Sequence, residues 1–278
     1  MALIVMGSAK GAPGVSTTAL ALAAAWPRGA RPVVWEADGD GSDLLHRFPV
    51  RADPGLVSLA GALGPEGLST ALVAEHTQML PGGVPVMVGP PGAGAARAAL
   101  SALGAYWEQA GHRESVWIVD LGRITAPLNP SAAQVLRAAD AVVAVGTGDM
   151  AALTHTAQMC DQVRELTPVP MMVAVVGASQ FSDGEIVEAL RVDSCVRIAH
   201  DPASARFLTG GRPTAAPWWR HRPRYPLLED AAELAHDLLS RFPERTLPAE
   251  DADAVSADEA AVRPSLAAHV DQGRGERR

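Results

Sequence analysis

Lysine is almost absent from this 278-residue chain: of its 23 basic residues, Lys10 is the only lysine. Cysteine is nearly as scarce. Cys160 and Cys195 form no C-x-x-C pair and fit no metal-ligand spacing, which excludes a disulfide framework and a cysteine-held zinc or iron–sulfur centre. Both are expected reduced, in or near the core of a cytoplasmic protein. No stretch approaches about 18 uninterrupted apolar residues, so no membrane span is expected. Met1–Met6 lacks a basic flank and is too short an apolar run for a signal peptide. Bulk positive charge is missing too. The net charge of −8 argues against broad nucleic-acid binding by charge alone, leaving only a local basic patch to do it.

What is there is a hydrophobic content of 48%, ample for one α/β domain, and a phosphate-loop-like segment near the start. An apolar strand over 2–6 runs into Gly-Ser-Ala-Lys-Gly-Ala-Pro-Gly-Val-Ser-Thr (7–17), and an alanine-rich helix over about 16–26 leaves it. In that context glycines let backbone N–H groups converge on an anion, and the helix start adds unpaired N–H groups. Gly11, Ala12, Pro13, Gly14, Val15, Ser16 and Thr17 are therefore the candidate phosphate cradle, with Ser16 placed to ligate Mg²⁺. The ordinary P-loop pattern fails twice, at Ala9 and at Val15, where lysine should precede Ser16.

Two acidic strand ends follow. Arg31–Trp35 reads as a short buried strand ending in Glu36-Ala37-Asp38-Gly39-Asp40-Gly41-Ser42. Carboxylates there are well placed to hold Mg²⁺ or orient a water, and Asp38 is the candidate; Asp40 and Asp43 read as turn residues. Ser115–Asp120 is an apolar strand closing on Asp120, in the manner of a Walker B element. Arg123 beside it is a candidate for lending the phosphates positive charge. Helices are expected over 55–63, 67–80, 95–110, 151–166, 184–190 and 226–242, and strands over 85–89, 141–146, 171–176 and 195–199. This alternation predicts an α/β fold, a mostly parallel twisted sheet with helices on both faces and all strand ends of one kind along one edge.

Residues 10–17 resemble the deviant Walker A motif, K-G-G-x-G-K-[ST]-[ST], of the ParA/MinD family of ATPases. The resemblance covers roughly residues 1–242 and includes a D-x-D-like element at Glu36–Asp38 and the Walker B aspartate, in the family's order. It implies a Rossmann-like P-loop NTPase fold that binds ATP and Mg²⁺ and closes as a nucleotide-dependent homodimer. Lys10 would be the signature lysine reaching the partner's phosphates. Asp38 would position the attacking water, with Glu36 in place of the first aspartate, and Ser16, Asp38 and Asp120 would serve the metal. The family's second lysine is replaced by Val15. Its base-reading asparagine has no counterpart, which leaves Ser179 or Gln180, and the loop at His200-Asp201-Pro202 resembles the later base loop. Such a switch positions a cargo, be it chromosome or plasmid, division site or secretion machinery, through a partner or adaptor protein. The rival reading is a degenerate, non-hydrolysing scaffold like atypical ParA-like proteins of pilus assembly. Related tyrosine kinases fit poorly, since only Tyr106 and Tyr225 occur.

Towards the C-terminus, Arg212, Arg220, Arg222 and Arg224 with Trp218 and Trp219 form the one basic, aromatic segment, a candidate DNA or partner patch. It reads equally as surface packed against an acidic chain. The domain is expected to end near 245, and 246–278, rich in Ala, Asp, Glu and Arg, reads as a disordered charged tail.

Overall fold

The computed structural model describes residues 2–11, 13–27, 32–104, 106–109, 116–208 and 225–241. Ala12, the arginines at 212, 220, 222 and 224, and the tail 246–278 lie outside the described residues. All that is described falls within the compact unit Met1–Arg245.

The first strand, β1 (Leu3–Ser8), is buried along its whole length. Successive strand residues point to opposite faces, so a strand covered on both sides must be apolar at every position. Leu3 and Val5 accordingly enter one core, and Ile4 and Met6 the other. The chain continues through α1 (Val15–Ala25), β2 (Val33–Glu36), α2 (Leu44–Arg47), α3 (Leu56–Ala62), α4 (Thr70–Glu75), β3 (Gln78–Met79) and β4 (Pro85–Met87). Next come α5 (Ala93–Leu103), α6 (Tyr106–Gln109), β5 (Trp117–Arg123), α7 (Pro130–Arg137), β6 (Ala141–Gly148) and α8 (Met150–Leu166). The domain closes with β7 (Met171–Ser179), α9 (Asp183–Leu190), β8 (Ser194–Ile198), α10 (Pro202–Leu208) and α11 (Pro226–Ser240).

The strands form one eight-stranded sheet in the order β3-β4-β2-β5-β1-β6-β7-β8. Every pairing is parallel except β3 with β4. Helices α3, α5, α7, α8 and α9 send Leu59, Leu100, Leu136, Val163 and Leu190 into the core that holds Leu3. Helices α1, α10 and α11 fill the opposite core with Leu20, Leu208 and Leu234. Each such leucine contributes about 1.5–3 kcal/mol by burial. Beneath β2 and β5, Trp35, Trp107 and Trp117 pack ring against ring, with centroids 5.2, 4.6 and 6.5 Å apart.

The expected mostly parallel sheet with helices on both faces is what the chain adopts. The local differences have local causes. The helix expected over 67–80 is only the short α4; Leu80 N–H donates to Val84 O at 2.9 Å across a tight turn, so Gln78–Met79 pairs with β4 as an antiparallel edge. The helix expected over 95–110 breaks at Gly104, a poor helix former, into α5 and α6. Three helices, α2, α7 and α10, went unanticipated. α7 carried a readable signal, Asn129 capping Ser131 N–H at 2.9 Å followed by Pro130 in the first turn. α2 is a single turn with no such signal.

Candidate functional site

The parallel sheet brings the ends of β1, β2 and β5 together at one edge. At the end of β1, Gly14 adopts φ 96° and ψ 31°, a left-handed conformation natural to glycine, and so turns the loop into α1. No side chain caps α1 and no acidic residue lies in its first turn, which leaves the positive helix end available to an anion. The loop is fixed from below by Ser8, whose hydroxyl donates to Lys10 O at 2.8 Å and whose carbonyl accepts from Ile124 N at 2.8 Å.

Register places the carboxylates. Asp120 sits opposite Met6 of β1 and opposite Glu36 of β2. Its side chain is buried and accepts Gly122 N–H at 2.8 Å, and the nearby Ser16 hydroxyl favours its charged form. Desolvation by burial is the main reason its pKa is pushed up to about 6 from the ordinary 3.8, with Glu36 and Asp38 adding repulsion. A carboxyl whose folded pKa lies above its unfolded one costs stability as pH rises: below about 4 both states are protonated, and above about 6 only a buried charge remains. Asp120→Asn should therefore raise stability at pH 7.5 by up to about 3 kcal/mol, with the gain fading towards pH 4. Thermal melts between pH 4 and 8 check this; a difference independent of pH would refute it.

Asp38 reaches the same place from β2. Its Oδ1 accepts Asp40 N–H at 2.8 Å, and its carboxylate abuts Gly122. Burial raises its pKa as well. Glu36 accepts four hydrogen bonds: from Asp43 N–H at 2.6 Å, Leu44 N–H at 2.8 Å, Gly89 N–H at 3.0 Å and the Ser42 hydroxyl. It is a buried anchor for the segment after β2. Asp40 is a turn residue, as expected, but also pairs with Arg97 at 2.8 Å and, loosely, with Arg123 at 3.8 Å. These exposed pairs contribute little stability.

Gly14, Ser16, Thr17, Asp38, Arg123 and Arg47 all line one cavity of about 410 Å³ beside α1. Arg47 was missed by the sequence reading, because nothing local announces the turn of α2 that carries it; its Nη2 donates to Thr17 Oγ1 at 3.0 Å. Val15 also borders this cavity but is 6% exposed and belongs to the core. Lys10 is exposed and lines a separate, smaller cavity against Thr147 and Ala152. Among the described residues no three His, Cys, Asp or Glu side chains are grouped to hold a metal ion by themselves. No helix there is long and apolar enough to cross a membrane. At the far side of the edge, Ser179 and His200 share an open depression with Arg197 and Asp230. Ser179 is engaged, donating to Gly148 O at 2.8 Å, and Gln180 does not line the depression.

No family model matches the sequence, nor does any curated protein. Solved structures do match in fold. A ParA family ATPase from Chlorobium tepidum superposes with a TM-score of 0.63 at 19% identity, over 85% of this chain and 98% of that one. The cell division ATPase MinD of Pyrococcus furiosus gives 0.64 at 18% identity, over 86% and 100%. The septum site-determining protein MinD of Pyrococcus horikoshii, solved with Mg-ADP, gives 0.62 at 16% identity, over 88% and 99%. With its P-loop-like turn, its sheet order and these neighbours, the chain has the fold of the ParA and MinD ATPases.

Proposed function

We propose that this chain is a ParA/MinD-like dimerisation switch that takes ATP with Mg²⁺ at residues 10–17 and positions a cellular cargo through a partner protein. The observation that carries this reading is the convergence at one sheet edge of Ser16, at the start of α1, with the buried Asp120 at the end of β5. A hydroxyl and a carboxylate brought together beside a helix N-terminus suit a magnesium nucleotide: Ser16 would ligate the ion and Asp120 hold it through water. Phosphate oxygens would complete a shell that the protein's own side chains leave incomplete. The N–H groups of Gly14, Val15, Ser16 and Thr17 would cradle the phosphates, while Pro13 has none to give. Asp38, held against Gly122, would orient a water. Lys10, exposed and outside the cavity beside α1, suits a role on a second copy's phosphates. The bound ion would neutralise phosphate charge. The relatives' roles as cell-division and septum-site proteins support a cargo of that kind.

One observation favours a second reading of the same fold. Val15 is part of the core, so the position before Ser16 supplies no cation. Losing a phosphate cation is costly, on the order of 10³–10⁵ in rate for an arginine finger. The chain would then hydrolyse slowly or serve as a scaffold.

Light-scattering mass, with and without Mg-ATP, tests the switch on wild type and Lys10→Ala. The expected result is a monomer that becomes a dimer with nucleotide only when Lys10 is present. A mass that ignores nucleotide in both proteins overturns it.

A further inference from the structure

We infer that Arg47 supplies, from the turn after β2, the phosphate-binding charge that Val15 does not supply from α1. The inference rests on the nucleotide reading of the cavity and assigns a residue to it. Arg47 and Arg123 are the arginines lining that cavity. Arg123 leans on Asp40, whereas among the described residues no carboxylate pairs with Arg47. Among the described residues its hydrogen-bond partner is the Thr17 hydroxyl, on the third residue of α1. A guanidinium has five donors in a planar fork, so most remain available to an anion arriving at the helix end.

Arg47 is also held in place. Its Cζ lies 5.6 Å from the centre of the Phe48 ring, and Phe48 is buried. The start of its helix is tied to the sheet, because Glu36 accepts the N–H groups of Asp43 and Leu44. An otherwise mobile arginine is thereby stationed over the first turn of α1, the place vacated by the missing lysine. The same tie makes Arg47 sensitive to the conformation of the segment that carries Asp38, so phosphate binding and the order of that segment are linked.

The test is the affinity of wild type, Arg47→Ala and Arg47→Lys for Mg-ATP and for AMP, by calorimetry. Arg47→Ala should weaken Mg-ATP by about 10- to 100-fold, leave AMP within about twofold, and keep the wild-type melting curve; Arg47→Lys should recover part of the loss. Equal loss for ATP and AMP would mark Arg47 as merely structural, and unchanged ATP affinity would overturn the inference outright. A wild type that binds no Mg-ATP would instead overturn the nucleotide reading, and this inference with it.

Discussion

Replacing Glu36 with alanine should cost about 4 kcal/mol of folding stability, a large share of what a domain of this size has. Glu36 is 3% exposed and its two oxygens accept three backbone N–H groups and one hydroxyl. Removing the carboxylate leaves those donors facing an apolar gap, at about 1–3 kcal/mol for each that water does not reach. Burial raises the Glu36 pKa, while the four hydrogen bonds pull the other way, so desolvation wins without freeing the group from its donors. Glu36→Gln keeps the volume but turns an amide NH₂ towards donors, and should cost about 2–3 kcal/mol. Urea titration with an unchanged slope is the measurement. A loss below about 1 kcal/mol for Glu36→Ala would mean that the segment after β2 is held by something other than this carboxylate.

Gly122→Ala should be nearly as severe, and its cause can be separated into parts. Gly122 has φ +61°, a conformation that costs an L-residue about 1–2 kcal/mol. A Cβ there would also overlap the Asp38 carboxylate and come within 3.0 Å of its Cβ. Overpacking of that kind typically costs about 1–3 kcal/mol, giving about 2–5 kcal/mol in all. Shortening Asp38 to alanine removes the overlapping carboxylate but not the backbone strain. In the Asp38→Ala background the same glycine substitution should thus cost only about 1–2 kcal/mol, a coupling readable from a double-mutant cycle. Additive losses would show that Asp38 and Gly122 do not touch in solution. Coupled losses would establish that the end of β5 and the loop after β2 move as one unit, which is what a switch sensing the phosphate end of a nucleotide requires.

Much of this protein was legible in its sequence because the determinants are local. The apolar run of β1, the alternation of strands and helices and the glycine-rich turn at 7–17 specify a parallel α/β sheet with a tight loop leading from a strand end into a helix. That Ser16 and Asp120 meet at one sheet edge was also foreseeable, since both lie at the ends of elements whose type the pattern gives. What the pattern misjudged was decided by pairing and packing over long sequence distances. The segment 78–79 became an edge strand only because β4 was there to pair with it. Glu36 and Asp38 lie two residues apart at a strand end, yet register against β5 and the turn at 42–44 make one a buried anchor and leave the other beside Gly122. Arg47 is the plainest case. It is one arginine among many in the sequence, and it acquires meaning only because Glu36 and Phe48 fix a single turn of helix over the start of α1. Periodicity records which face of an element is buried; it carries no information about which distant element that face will meet, and the direction of a charged side chain is set by that meeting.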